Sequence, residues 1–392
     1  MPVSRRMFFN FLSGAGAVAA AQSLPSRAQE KPPVDPGATP QDPRMGTADA
    51  AKYFKYSTRP AKVALIKGEN RRKNIFDALV AIDDQIRPGL KAKKYVLIKP
   101  NGIDPRRTII STQLDAVNGI LDYLAPRFKG PVVIAECAGS PAKQAVTEFG
   151  WDRVFAAHKP LDIKLEVPNE DNGRYELFYG IDYDLHPVPI RLGARFVDPD
   201  AFLISSAVMK THNMVVATLT IKNVVLGAPL SPPPELHRPW NESEKRKFHV
   251  GIRQGNYNMY LAVQKMIPNW GLGIIDGFEA MEGNGPVEGT PVPHRIALAS
   301  TDFLAADRVG LACMEIDAGW PGYLNYCHQA GLGQYDLSKI EVVGARIADV
   351  QRKYRLHADV DRMLEWRGPM QDLPSNLGRL RPPVEQDLSA YA

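Results

Sequence analysis

From residue 63 onward the sequence alternates short β-branched apolar runs with stretches in which apolar residues recur every three or four positions. That alternation admits few architectures, because strands that must be joined by helices pair mainly in parallel and need cover on both faces. The strand-like runs fall at 63–66, 95–98, 132–135, 163–167, 202–208, 272–275, 296–299 and 340–343. Between the first of them, Ile75, Leu79, Ile82 and Ile86 mark one helical face, and Leu114, Val117, Leu121 and Leu124 mark another. The expected fold is α/β, a mainly parallel sheet with helices on both faces, spanning 61–346. Residues 169–196, with Asp171-Asn172-Gly173 and several Tyr and Pro, read as an inserted β-hairpin. A Pro-rich segment at 228–234, followed by His237, Trp240, Lys245-Arg246-Lys247 and His249, reads as a lid-like loop. Residues 348–366 predict a helix inside a C-terminal extension and tail, 347–392.

The N-terminus has a different character. Ser4-Arg5-Arg6-Met7-Phe8-Phe9 precedes an uncharged Gly/Ala-rich run at 11–21, and Ser26-Arg27-Ala28 offers a small-x-small cleavage site. This pattern predicts a twin-arginine signal peptide over 1–28, engagement of the twin-arginine export machinery, and a periplasmic or secreted protein. The run is shorter than the roughly 20 apolar residues of a membrane span, so no permanent membrane insertion is expected. Gly14-x-Gly16-x-x-Ala19 imitates a dinucleotide fingerprint, but no strand precedes it. Residues 29–60 lack periodicity and read as a Pro-rich linker. Removal of 1–28 takes away Arg5, Arg6 and Arg27 and no acid, so the formal charge falls from +5 to +2 and gives nucleic-acid binding no support. Cys137, Cys313 and Cys327 form no C-x-x-C pair, which excludes an iron–sulfur cluster or a tetrathiolate zinc site. Cys313 and Cys327 are left as either a disulfide or two buried thiols.

Ligands of open α/β sheets bind beyond the carboxyl ends of the strands, so the residues leaving each strand are the ones that carry function. One strand ends in Lys99-Pro100-Asn101-Gly102 and another in Glu136 before a Gly turn. A third runs into Met209-Lys210-Thr211-His212, and a fourth into Asp276, Glu279 and Glu282. If 213–225 is one helix, Lys210 and His212 sit at its N-terminus, where backbone N–H groups favour an anion. Lys222 and Asn223 would then lie about 15 Å further on and face another part of the cleft. Lys210 and His212 are the candidate catalytic pair, with His212 open to acid/base work, metal ligation or a helix cap. Lys99, Asn101, Lys222 and Asn223 are candidate ligand-binding residues. Asp276 and Glu282, with Glu136, are candidate ligands for an oxygen-bound divalent metal, because carboxylates spaced by three can share one side of a helical turn and repel one another unless a cation or proton intervenes. The alternatives are a surface turn for the first two and a partner for Lys99 in the case of Glu136. No G-x-S-x-G, H-E-x-x-H or Walker A pattern is present.

The stretches Ile98-Lys99-Pro100-Asn101, Ser205-Ser206 through Met209-Lys210-Thr211-His212 to Ile221-Lys222-Asn223 and Gly227, and Asp276-Gly277 with Ala280-Met281-Glu282-Gly283-Asn284-Gly285-Pro286 stand in this order. They resemble the motifs of the bacterial and archaeal "domain of unknown function 362" family, over roughly 63–346. Many members of that family carry a ferredoxin-type cysteine module or are linked with iron–sulfur proteins; this chain has no such cysteines. The resemblance supplies no reaction. Two functions stay open: a protein that holds an anionic small molecule, with or without a divalent metal and with or without chemistry on it, and a non-catalytic periplasmic binding or cofactor-maturation factor acting on a protein partner.

Overall fold

Odd and even positions of the central strands enter different hydrophobic layers. A computed structural model describes residues 55–102, 108–137, 150–168, 173–230 and 243–367. Strand β1 (Ala61–Lys67) sends Val63 and Leu65 to one layer and Ala64 to the other. In β2 (Tyr95–Pro100) and β3 (Val132–Ala135), Leu97 and Val133 part in the same way from Val96, Ile98, Val132 and Ile134. Strand β4 (Ile163–Glu166) is the outer neighbour of β3. This period of two with apolar residues at every position is what a sheet covered on both faces requires.

Helices α1 (Arg71–Ala81), α2 (Asp83–Lys91), α3 (Leu114–Leu124) and α4 (Trp151–Ala157) cover one face. A β-hairpin of β5 (Tyr175–Ile181) and β6 (Pro187–Gly193) follows, as a separate two-stranded sheet. Strand β7 (Ala201–His212) is buried along its whole length and turns back through β8 (Val216–Thr218). The opposite face carries α5 (Thr220–Val225), α6 (Ile252–Met266), α7 (Phe303–Cys313) and α8 (Gly322–Gln329). Asp302 caps α7 by accepting from Ala305 N at 3.0 Å, as a Ser-Thr-Asp start suggests.

Strands β9 (Trp270–Asn284), β10 (Glu288–Val292), β11 (Ile296–Ser300) and β12 (Ile340–Gly344) complete a ten-stranded sheet in the order β12-β1-β11-β9-β7-β2-β3-β4, with β10 on β9 and β8 on β7. Along that path β11 alone runs against the rest. The chain therefore forms an α/β fold with a large, mainly parallel sheet. The order reverses between β2 and β7: from β2 the chain passes outward through β3 and β4, then returns to the other side of β2 and passes outward through β9. Connections on the two sides of that point lie on opposite faces, so a crevice opens where the strand ends diverge.

Two expectations are revised here, and one left open is decided. Residues 276–286 are not a helical loop but the far half of β9 and its turn into β10, where Gly283 takes a positive φ of 79° and Asn284-Gly285-Pro286 supplies turn chemistry. Residues 348–366 are not one helix. Two short helical turns, α9 (Ile347–Val350) and α10 (Val360–Met363), flank an extended segment. That segment buries Tyr354, whose hydroxyl lies 2.7 Å from His294 Nδ1, and lends the Arg355 N–H to Glu282 at 3.0 Å. The three cysteines are free and buried. The signal peptide, most of the 29–60 linker, the 231–242 part of the Pro-rich loop and the tail beyond 367 lie outside the described residues.

Candidate functional site

The residues that end β2 and β7 meet those of α5 at the point where the strand order reverses. A single helix over 213–225 would have kept them apart. The chain instead folds back through β8, pairing Thr218 with Lys210, and only then enters α5, which brings Lys222 and Asn223 to the same strand ends. Val216, at a φ of 70°, sits in this reversal.

Polar contacts fix the geometry. Lys99 Nζ donates to Glu136 Oε2 at 2.7 Å and to Pro100 O at 2.6 Å, and Gly102 N donates to the same Glu136 oxygen at 2.7 Å. Lys210 Nζ donates to Asn101 Oδ1 at 3.0 Å and Ile110 O at 2.7 Å. Asn101 Nδ2 donates to Asn223 Oδ1 at 3.0 Å, and Asn223 Nδ2 donates to Lys99 O and Ser205 Oγ, each at 3.1 Å. His212 Nδ1 accepts from Met214 N at 3.1 Å, which places the ring proton on Nε2. Two glycines make room: a Cβ on Gly227 would overlap Lys99 Cε and Nζ, and one on Gly102 would lie 2.9 Å from Glu136 Oε2.

The electrostatics are lopsided. Lys99, Lys210 and Lys222 are buried. A fourth lysine, Lys245, stands on the 3-10 turn Glu244–Phe248 and is half-buried. Among the described residues, Glu136 is the carboxylate whose field supports Lys210, Lys222 and Lys245, and it is already bonded to Lys99. Glu244, adjacent to Lys245 in sequence, serves Arg191 Nε at 2.9 Å and Lys247 Nζ at 2.8 Å instead. Burial, and then the neighbouring lysines, hold Lys210, Lys222 and Lys245 below the ordinary ammonium range. Burial, and then Lys222, His249, Lys210 and Lys245, push His212 well below the usual imidazole value, so the ring is neutral. No hydrogen bond joins Lys222 Nζ or His212 Nε2 to another described residue, both side chains keeping a little exposed surface, and the hydroxyls of Ser206 and of Thr218, which pairs with Lys210, are buried without a partner. Leaving the two buried hydroxyls unmatched costs about 1–3 kcal/mol each, so the cluster is built at the expense of the empty fold.

The carboxylates of the metal expectation do not converge. Asp276 pairs with Arg71 Nε at 3.0 Å and accepts from Phe278 N at 3.0 Å. Glu282 stands six residues along the same strand, about 20 Å away by strand rise, and takes the Arg355 N–H. Glu136 belongs to Lys99. The one trio of ligand-type side chains drawn together among the described residues is Asp182, Asp184 and His186 in the β5–β6 turn. Asp182 Oδ1 there accepts from the Asp184 and His186 N–H groups at 2.9 and 2.8 Å, so the turn itself accounts for that carboxylate. A cleft of about 950 Å³ lies elsewhere, against β4, lined by Lys164, Glu166, Arg174, Arg195 and Lys265 among others. Its Arg195 and Glu166 are joined by two hydrogen bonds of 2.9 and 2.7 Å, and charges satisfied by each other leave less for a ligand than the lysine cluster does.

Lys245, Ser205, Thr112, Gly102 and Gly227 join the site beyond the residues picked from sequence. Lys245 was legible only as part of a basic run, and Thr112, which donates to Ser206 O at 2.7 Å and accepts from Asn101 N at 2.7 Å, carried no signal at all.

The sequence profile described as Domain of unknown function (DUF362) matches residues 96–312. A curated relative, the thylakoid-associated protein sll1697 of Synechocystis, is 27% identical over 255 residues, which is 62% of this chain and 69% of that protein. A structural-genomics crystal structure from Thermotoga maritima aligns with a TM-score of 0.37 at 11% identity, covering 58% of this chain and 55% of that one.

Proposed function

The chain belongs to the DUF362 family, and on that premise we propose that the lysine cluster at the β2–β7 divergence binds an anionic small molecule bearing carboxylate or phosphate groups. The observation that carries this reading is the charge imbalance: four lysines gather around one carboxylate, and that carboxylate is already taken by Lys99. An anion supplies the missing counter-charge, and the low-dielectric setting strengthens each contact it makes. Lys245 furnishes charge and Lys222 an amine free to bond, Lys99, Lys210, Asn101 and Asn223 hold the frame, and His212 faces the ligand. His212, neutral with its proton on Nε2, serves as a hydrogen-bond donor to an oxygen. A divalent metal enters this reading only as a companion of the anion, since Asp276, Glu282 and Glu136 each have other partners.

Calorimetric titration of inorganic phosphate and of citrate into the purified protein tests the reading. At least one should bind, and Lys210→Ala and Lys222→Ala should each weaken it at least tenfold; equal affinity in all three proteins would overturn it. Export through the twin-arginine route rests on Arg5, Arg6 and the apolar run after them. Replacing both arginines by lysine should leave uncleaved chain in the cytoplasmic fraction, and unchanged fractionation would remove the export reading. No helix among the described residues is long and apolar enough to cross a membrane. A partner-binding role draws on one observation: Tyr179, Tyr183 and Leu185 on the hairpin and Tyr257 on α6 are exposed.

A further inference from the structure

We propose that Lys222 forms an imine with a small carbonyl compound that also carries a carboxylate, the anionic end being held by the other lysines of the cluster. This rests on the anion reading and narrows it to one chemical class. The four lysines differ in what their ammonium groups are doing. Lys99 is spent on Glu136 and Pro100 O, and Lys210 on Asn101 Oδ1 and Ile110 O, with no exposed surface on Lys210 at all. Lys222 retains 5% exposure, and its Nζ is bonded to none of the described residues. It stands on α5 beside Asn223, within the electrostatic reach of His212, whose Nε2 proton is likewise bonded to none of the described residues, and of Lys245.

An amine that is desolvated and crowded by other cations loses its proton easily, and a neutral amine is the nucleophile that carbonyl addition needs. Burial and the fields of Lys245, Lys210 and Lys99 act on Lys222 in that direction. The steps balance without an outside reagent. The Lys222 nitrogen bonds to the carbonyl carbon as the C=O π pair moves to oxygen, and one amine proton follows to give a carbinolamine. The C–O bond then breaks, the second amine proton leaves with the oxygen as water, and one imine and one water result from one amine and one carbonyl. The Nε2–H of His212 is the donor placed to stabilise the negative charge on oxygen during addition.

The test is reductive trapping on the full-length protein with pyruvate and sodium cyanoborohydride, followed by intact-mass measurement and peptide mapping. Expected is one pyruvyl adduct per chain, on Lys222, competed away by inorganic phosphate and absent with lactate, which has no carbonyl. Lys222→Arg, which keeps the charge, should abolish the adduct and still bind phosphate. Adducts scattered over surface lysines in proportion to exposure, or no adduct while phosphate binding persists, would overturn the imine and leave the anion site standing. Loss of both phosphate binding and trapping from the unmodified protein would overturn the two together.

Discussion

The end of β9 and the ends of β2 and β7 are rich in ionisable side chains, and the two regions treat them in opposite ways. Along β9, Asp276 has Arg71 and Glu282 has the Arg355 N–H, while Phe278 lies between the guanidinium groups of Arg71 and Arg295 at 4.9 and 4.2 Å. Each charge there has been answered by another part of the chain. Around Lys210 and Lys222 the charges outnumber the answers. Buried charge tends toward pairing, because an isolated ion in a low dielectric is costly. A region that stops short of pairing is therefore the one to examine for a ligand, and a region that completes it is the one to examine for stability.

Mutations can break or sharpen this contrast. The largest effect is expected for Lys99→Ala, which leaves Glu136 buried with its cation gone: about 3–5 kcal/mol lost in chemical denaturation. Phe202→Ala should come next, at about 3–4 kcal/mol, because its ring fills the space left by Gly89 and Gly271, where an added Cβ would approach it to 2.9 and 2.7 Å. Asp276→Ala strands Arg71, which is partly reachable by water, and should cost about 2 kcal/mol with no change in phosphate affinity. Lys222→Met should do the reverse. It removes a buried amine that bonds to none of the described residues, so the ligand-free protein should gain about 1 kcal/mol while the stabilisation conferred by phosphate disappears. A loss of stability in Lys222→Met as large as that in Lys99→Ala would erase the distinction drawn between the two regions.

A further effect is read against pH and concerns Asp307, beneath α5. It accepts from Thr220 N at 2.7 Å, from Ile221 N at 3.1 Å and from the Thr220 hydroxyl. Burial nonetheless raises its carboxyl from 3.8 to about 7, against the pull of those donors. Because the folded state then holds the proton more tightly than the unfolded chain, this contribution is present in full below the unfolded value and fades as pH rises through about 7. A melting series should show Tm falling as pH rises from the unfolded value to about 7 in the unmodified protein and a flatter profile in Asp307→Asn.

The fold was legible because it is written in periods. Runs such as Val132-Val133-Ile134-Ala135 admit a two-sided buried strand, and Ile75, Leu79, Ile82 and Ile86 admit a helix lying on it. Lys99, Asn101 and Lys210 could be picked out as polar residues leaving strands and Asn223 as a helix residue, but their meeting could not. It depends on the reversal at Val216, a β-branched residue in a left-handed conformation that no local propensity favours. The acidic stretch misled for the opposite reason: a spacing of three between Asp276, Glu279 and Glu282 suggests a helix, while the pairing of β9 with β10 and β11 decides for a strand. The extension after 347 was read from its composition, whereas its path is set by contacts of Tyr354 and Arg355 with distant strands.

The chain of amides between Lys210 and Lys99 has a direction. At one end stands an ammonium, which can only give hydrogen bonds, and at the other a peptide oxygen, which can only take them; Asn101 and Asn223 are thereby compelled to hand their protons along in one order. Turning either amide over would set donor against donor or oxygen against oxygen at both of its neighbours. In mechanical language this is a keyed joint: two strands and a helix that meet from separate parts of the sequence can be fitted in a single orientation.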